Sequence, residues 1–245
     1  MVFTDRTDAG KRLAHALAHL KNTGVVVLGL PRGGVPVAFE VAKGLEAPLD
    51  VIVVRKLGMP FQPELAMGAV SEEGALVIDY GLVQSSGVSK EQLHAIEVEQ
   101  RAEVEARVRR FRGTRQRLDV AARHVVIVDD GLATGATAAV ACQVVRDRGA
   151  AKITLAVPVC SVEAAEKLEG VADEVVCLER PTPFYAVGQY YADFTQTSDG
   201  EVVRLLSKRA AELQKPGSSG DSQSEPGSAQ ARTSKQQAKM PQAAE

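Results

Sequence analysis

Two adjacent carboxylates follow an aliphatic run in the segment VVIVDDGLATGAT, residues 125–137. Small residues come directly after Asp129 and Asp130, and they let backbone N–H groups approach a ligand closely. If a helix starts behind the loop, its positive N-terminal end favours an anion there. The loop therefore predicts a phosphate cradle with two hydroxyl donors, built from Gly131, Ala133, Thr134, Gly135, Ala136 and Thr137.

The acidic pair predicts a different partner from the loop, because like charges keep carboxylates away from a phosphate. Asp129 and Asp130 can instead accept hydrogen bonds from a vicinal diol. A phosphate and a diol together describe a ribose 5-phosphate. The alternative is that one aspartate caps a helix or turn and the other lies on the surface. No GxxxxGK[ST] sequence is present, which disfavours a nucleoside triphosphatase.

Basic residues end two further aliphatic runs. Arg32 and Gly33 follow VVVLGL, and Arg55 and Lys56 end DVIVVRK. Together they predict a second polyanion site, on the far side of the sugar from the phosphate loop. The alternative is that Arg55 and Lys56 are ordinary surface charges and that Arg32 belongs to a simple turn.

The remaining pattern predicts the elements that hold these groups. Continuous aliphatic runs predict buried strands over 25–30, 50–56, 125–128, 153–159 and 174–178. Helices are predicted over 8–21, 34–45, 89–111, 135–148, 162–169 and 198–213, and a hairpin over 64–79 with its turn at 71–74. This alternation predicts an α/β fold with a mostly parallel central sheet flanked by helices. Ligands bind beyond the carboxyl ends of such strands, where the three candidate groups should meet.

Two helices carry local sequence signals. Ser89 with Gln92, and Ser198 with Glu201, have the spacing of a capping box. In the helix over 89–111, acidic and basic residues alternate four positions apart, which is typical of a solvent-facing side. These pairs are Glu97/Arg101, Glu103/Arg107 and Glu105/Arg109.

Composition limits the class of protein. Among 245 residues, 29 basic and 31 acidic side chains give a net charge of −2, which disfavours a nucleic-acid partner held by bulk charge. Three dispersed cysteines show no metal-binding spacing and favour reduced thiols in the cytoplasm. No signal peptide or membrane span is predicted. Residues 1–213 are predicted to form one domain, and the polar segment 214–245 a disordered tail.

The segment VVIVDDGLATGAT resembles the phosphoribosyl-pyrophosphate signature of type I phosphoribosyltransferases. GLPRGGVPVA resembles the pyrophosphate loop of that family, and VVRK the basic end of its second strand. The resemblance covers roughly residues 5–200 and is closest to uncharacterised bacterial members. It implies the type I fold with a small hood subdomain, here largely over 180–200.

The resemblance also implies roles for the candidate residues. Asp129 and Asp130 would bind the ribose hydroxyls, and the loop 131–137 the 5-phosphate. Arg32, Gly33, Arg55 and Lys56 would face the pyrophosphate, with Arg32 and Lys56 assisting its departure. Mg²⁺ would be the cofactor, held through the substrate rather than by a protein cage. A homodimer is one assembly that the family implies.

One position departs from part of the family. Ala133 stands where members acting on 6-oxopurines have an aspartate that serves as acid or base. Glu64 is the candidate replacement, with Glu72 and Glu73 behind it, and its alternative role is structural. A flat acceptor would stack on aromatic residues of the hood. The alternative is that these aromatic residues form a small satellite core. The predicted acceptor pocket consists of Phe184, Tyr185, Tyr190 and Asp193.

Two functions therefore remain open. The first is transfer of ribose 5-phosphate from phosphoribosyl pyrophosphate to a nucleobase or related nitrogen heterocycle. The second is a regulatory protein that binds phosphoribosyl pyrophosphate without turnover, an alternative that Ala133 supports.

Overall fold

A parallel sheet of five strands forms the centre of the computed structural model, which describes residues 2–74 and 76–214 without the side chains of Pro63, Glu64 and Glu73. Its strands lie in the order β2, β1, β6, β7, β8. They span Leu49–Val51 (β2), Val26–Gly29 (β1), His124–Val128 (β6), Lys152–Val159 (β7) and Glu174–Glu179 (β8). The predicted α/β fold with a mostly parallel sheet is confirmed.

Helices cover both faces of this sheet, except for two that pack against the second sheet described below. The helices are α1 (Arg6–Ala16), α2 (Gly34–Gly44), α3 (Tyr80–Ser86), α4 (Lys90–Arg112), α5 (Ala136–Asp147), α6 (Val162–Leu168) and α7 (Asp199–Gln214), and the two exceptions are α3 and α4. Alternate residues of β6 show the two-sided burial: Val126 and Val128 pack in the core under α1, α2 and α7, whereas Val125 and Ile127 pack under α5 and α6. Among the helices of the described ranges, none is long and apolar enough to cross a membrane.

The predicted strand over 50–56 is wrong as a single element. The chain leaves the parallel sheet after β2, and a separate antiparallel sheet is formed by β3 (Val54–Met59), β4 (Gln62–Ser71) and β5 (Leu76–Ile78). Ile52 and Val53 connect the two sheets and are buried, so the apolar run gives no sign of the break. The predicted hairpin is the β4–β5 pair.

Capping explains several helix ends. Asp5 caps α1 by accepting from the N–H of Asp8, and Ser89 and Gln92 form the predicted capping box of α4. Ser198 accepts from the N–H of Glu201 at 3.1 Å at the start of α7. Helix α3 is absent from the predicted elements, although Asp79 caps it in the same way. The predicted tail lies outside the described residues apart from Gln214, the last residue of α7.

A buried ionic network joins the two sheets to α4. Arg112 ends α4 and is 7% exposed, and its guanidinium donates to both carboxylate oxygens of Asp50 at 3.2 Å. It also donates to Glu72, at 2.5 Å from Nη1 to Oε2, and to the carbonyl of Val51. Burial alone would lower the pKa of Arg112, but hydrogen bonds and charges of Glu72 and Asp50 raise it. The network fixes the point where β2 passes into the second sheet.

Replacing Arg112 by Met should therefore destabilise the fold strongly, because it leaves Asp50 and Glu72 buried without their cation. The expected loss in the free energy of unfolding is about 3–5 kcal/mol, measured by urea denaturation at neutral pH. Arg109→Met on the same helix removes only an exposed pair with Glu105 and should cost at most about 1 kcal/mol. Equal losses in the two variants would show that the network does not stabilise this junction.

Candidate functional site

The carboxyl ends of β1 and β6 bring the glycine turn and the acidic pair into direct contact. These strands pair in parallel, with Gly29 opposite Val128. A Cβ atom on Gly33 would lie 2.0 Å from Oδ2 of Asp130, and one on Gly34 would lie 2.8 Å from Cα of Asp129. The φ angle of Gly33 is −62°, which any residue can adopt, so close approach rather than backbone conformation requires glycine here.

Asp130 is held by a cation that the sequence pattern did not indicate. Nε and Nη2 of Arg6 each lie 2.8 Å from Oδ2 of Asp130, and both side chains are largely buried. Asp129 accepts the N–H of Asp130 through Oδ1 at 2.9 Å. Burial raises the pKa of Asp129 well above 3.8, as does the charge of Asp130. Burial also raises the pKa of Asp130, and the charge and hydrogen bond of Arg6 offset part of this rise.

The N-terminal segment and the segment 190–195 together hold Arg6 in place. Phe3 donates its N–H to the carbonyl of Tyr190 at 2.7 Å, and Ala192 donates to the carbonyl of Phe3 at 2.8 Å. Arg6 lies 3.9 Å above the ring of Phe194 and donates to the carbonyl of Thr195 at 2.8 Å. No local motif marks Arg6, because its partner is 124 positions away in the chain.

The predicted phosphate loop leads from Asp130 into α5. Gly135 has φ of +70°, the left-handed conformation that favours glycine, and α5 begins at Ala136. The first N–H groups of a helix lack partners within it, so those of α5 point back into this loop. Thr134 and Thr137 are exposed, and Ser161 fixes the loop by donating to the carbonyl of Ala133 at 2.8 Å. The arrangement can bind an anion.

The predicted cations lie on two separate elements, the turn after β1 and strand β3. Arg32 follows β1, and its Nη1 lies 3.5 Å from Oδ1 of Asp199. Arg55 and Lys56 lie within β3 rather than at the end of a parallel strand, a consequence of the break after β2. Both line a cavity of about 400 Å³ between β3 and α4, where Arg55 donates to Gln100.

The predicted acceptor residues are only partly brought together. Phe184 and Tyr185 line a cavity of about 420 Å³ beside Ala133 and Thr134. Tyr190 stacks on Phe184 with ring centroids 5.5 Å apart. The carboxylate of Asp193 instead accepts from Thr195 and lines a separate cavity with Arg6, because the chain turns between 190 and 195.

The predicted acid/base residue, Glu64, lies on β4, and its side chain is outside the described part of the protein. Glu163 and Lys167 of α6 line the cavity beside Ala133 and are not among the predicted residues. Their i,i+4 spacing resembles an ordinary helix surface, so no local signal marks them.

Gly33→Ala tests the contact between the turn and the acidic pair. Because its methyl group must displace Asp130, we expect a loss of about 1–3 kcal/mol in the free energy of unfolding. Gly170→Ala is the control, since a Cβ there meets nothing within 4 Å. The contact would be refuted by two variants of equal stability in thermal and urea denaturation.

Asp129→Asn should stabilise the protein at neutral pH. A carboxyl group whose pKa is raised on folding contributes stability below pH 3.8 that is lost as the pH rises through the raised pKa. Asparagine removes this loss, so the advantage of the variant over the native chain should shrink as the pH falls towards 3.8. Urea denaturation at several pH values measures it. Asp147→Asn on the exposed end of α5 is the control, and a pH-independent difference would contradict the expectation.

Comparison with known proteins agrees with this geometry. The sequence model of the family described as "Phosphoribosyl transferase domain" matches residues 5–195. Two Mycobacterium tuberculosis proteins, "Putative phosphoribosyl transferase Rv0571c" (strain ATCC 25618 / H37Rv) and "Putative phosphoribosyl transferase MT0597" (strain CDC 1551 / Oshkosh), are each 56% identical over 207 residues. The match covers 84% of this chain and 47% of each relative, so the chain spans about half their length.

A solved structure extends the comparison to three dimensions. The protein TT1426 from Thermus thermophilus is 45% identical, with a TM-score of 0.76, over 85% of this chain and 99% of that one. The sequence match, the parallel sheet and the arrangement at its carboxyl edge lead to one assignment. The chain belongs to the phosphoribosyl transferase domain family.

Proposed function

We propose that the protein transfers ribose 5-phosphate from phosphoribosyl pyrophosphate to a ring nitrogen of a nucleobase or related heterocycle, releasing pyrophosphate. One observation carries the proposal: at one sheet edge a carboxylate pair leads directly into an anion-binding loop and touches the neighbouring turn that carries Arg32. A phosphorylated sugar with a diphosphate at C1 has the matching groups: phosphate, diol, polyanion.

Each part of the site has a chemical role in this proposal. The loop 131–137 and the N-terminus of α5 bind the 5-phosphate. Asp129 and Asp130 accept hydrogen bonds from the ribose 2- and 3-hydroxyls, and Arg6 orients Asp130 by binding its Oδ2. Arg32, Gly33, Arg55 and Lys56 are the proposed partners of the diphosphate.

The charges suit the proposed reaction. The C1–O bond to the diphosphate breaks, and its electron pair leaves with pyrophosphate. The acceptor nitrogen bonds to C1 and gives up its proton to a basic group. Positive charge therefore develops on the sugar and negative charge on the leaving group. Cations placed at the leaving group stabilise the transition state more than the bound substrate, which is catalysis by charge placement.

Mg²⁺ belongs to the proposal as a cofactor carried by the diphosphate. The carboxylates of Asp129 and Asp130 are hard oxygen donors, the type of ligand that this ion prefers, although phosphates and waters would supply most of its shell. When bound, the ion neutralises negative charge on the leaving group.

The acceptor is proposed to bind in the cavity beside Ala133. Phe184 and Tyr185 offer stacking surfaces there, and Glu163 offers a carboxylate for a ring N–H. Because Ala133 cannot exchange a proton, Glu163 joins Glu64 as a candidate for contact with the acceptor. Regulatory binding without turnover remains the second candidate, favoured by this alanine.

Calorimetric titration of phosphoribosyl pyrophosphate with Mg²⁺ tests the donor half. Native protein should bind, and Asp130→Asn and Arg32→Ala should each weaken binding by about tenfold or more, since each loses hydrogen bonds to a charged group. Asp147→Asn, exposed on α5, should bind like the native chain. Failure of the native protein to bind would refute the proposal.

Pyrophosphate release in the presence of a panel of nucleobases tests turnover. Release that requires one base and is lost in Arg32→Ala would support the transferase. Donor binding without release for any base would contradict transfer to a nucleobase and favour the regulatory alternative.

A further inference from the structure

One face of α4 lines two neighbouring cavities at the cationic side of the site. Residues recurring every three or four positions share a face of a helix. On α4 these lining residues are Ile96, Glu99, Gln100, Glu103, Ala106, Arg107 and Arg110. The first cavity lies against β3 and the second, of about 240 Å³, against Arg32 and Asp199. We call these two cavities along one face of α4 the α4 groove; the second of them is lined by Arg32 of the proposed pyrophosphate site.

The α4 groove carries an excess of positive charge. Its lining residues include five cations, Arg32, Arg55, Lys56, Arg107 and Arg110, against three carboxylates, Glu99, Glu103 and Asp199. Such a concentration of cations beside a low-dielectric wall attracts a polyanion.

Arg107 lines the second cavity together with Arg32, and Arg55 and Lys56 line the first. Burial lowers the pKa of Arg107. The positive charges of Arg55 and Arg32 lower it further, whereas the charge of Glu103 raises it. Its ion pair with Glu103 is loose, with Nε 3.8 Å from Oε2, beyond hydrogen-bond length. Arg107 therefore does not simply form the solvent-facing pair that its sequence spacing predicted. It lines the same cavity as Arg32.

Asp199 already provides an anion in this groove. Its Oδ1 lies 3.5 Å from Nη1 of Arg32, and its Oδ2 accepts a short hydrogen bond from Arg110. The hydrogen bond from Arg110 lowers the pKa of Asp199, so the carboxylate is charged at neutral pH. It is the first residue of α7, and it occupies the place where a phosphate oxygen would meet Arg32.

We propose that Arg107 of α4 is a further pyrophosphate-binding residue and that the carboxylate of Asp199 competes with the ligand for Arg32. This inference rests on the proposed function, because it takes Arg32 as part of the pyrophosphate site. Two guanidinium groups on separate elements can each bind a phosphate through paired N–H donors, whereas one arginine cannot span both. Pyrophosphate then replaces Asp199 at Arg32 when it binds.

Calorimetric titration of inorganic pyrophosphate with Mg²⁺ tests the role of Arg107. Arg107→Gln should weaken binding about 10- to 100-fold, the change expected for losing hydrogen bonds between charged groups. Arg109→Gln removes the same charge from the exposed side of α4 and should change binding by no more than about twofold. Arg107→Lys keeps the charge without the planar fork and should bind with intermediate affinity.

Asp199→Asn tests the competing carboxylate with the same titration. This variant should bind pyrophosphate more tightly than the native chain, because a charged competitor has been removed. Weaker or unchanged binding would overturn this part of the proposal. Thermal denaturation of every variant checks folding, and Arg107→Lys carries the test of Arg107 if the glutamine variant does not fold.

The role of Arg107 and the proposed function can fail separately. Native binding that Arg32→Ala weakens, with Arg107→Gln no weaker than Arg109→Gln, would overturn the role of Arg107 and leave the proposed function intact. A native chain that binds neither pyrophosphate nor phosphoribosyl pyrophosphate would overturn both.

Discussion

The contact between Gly33–Gly34 and Asp129–Asp130 is the constraint on which the site depends. It exists because β1 and β6 are parallel neighbours whose ends are in register, so the turns after them must share the same space. Only residues without side chains let the first turn pass the carboxylates of the second. The same contact brings the turn that carries Arg32 against the acidic pair, which leads along the chain into α5.

Electrostatic cost is concentrated at this contact. Two adjacent carboxylates are desolvated together, which raises the pKa of Asp129, and one cation from the N-terminal segment offsets part of the cost. Such unfavourable arrangements persist where they serve binding or catalysis rather than stability. The neighbouring segment 190–195 takes part in this compensation through Phe194 and Thr195, which hold Arg6.

Sequence periodicity predicted the elements of the central sheet and the residues at its edge, because buried strands and small-residue loops leave local patterns. It failed where the deciding contact is distant in the chain. The break between β2 and β3 is hidden because Ile52 and Val53 are apolar and buried on both sides of it. Arg6 and Arg112 have no local signal. The partner of Arg6, Asp130, lies 124 positions away, and the partners of Arg112, Asp50 and Glu72, lie 62 and 40 positions away.

Helix α4 shows a second limit of sequence analysis, because one local pattern covers residues with different surroundings. The i,i+4 pairs along it correctly describe Arg109, which is exposed, but they also made Arg107 look like a solvated residue. Only the packing of α4 beside β3 and the turn after β1 distinguishes the two arginines. Sequence identified the groups proposed to bind a sugar phosphate more easily than the arginine proposed to join them from a separate element.

The most direct test of the proposed site is a crystal structure of the chain with phosphoribosyl pyrophosphate and Mg²⁺. We expect the 5-phosphate at the N-terminus of α5, the ribose hydroxyls on Asp129 and Asp130, and the diphosphate beside Arg32. Electron density that placed the 5-phosphate beside Arg32, or the ribose away from both aspartates, would contradict the central claim.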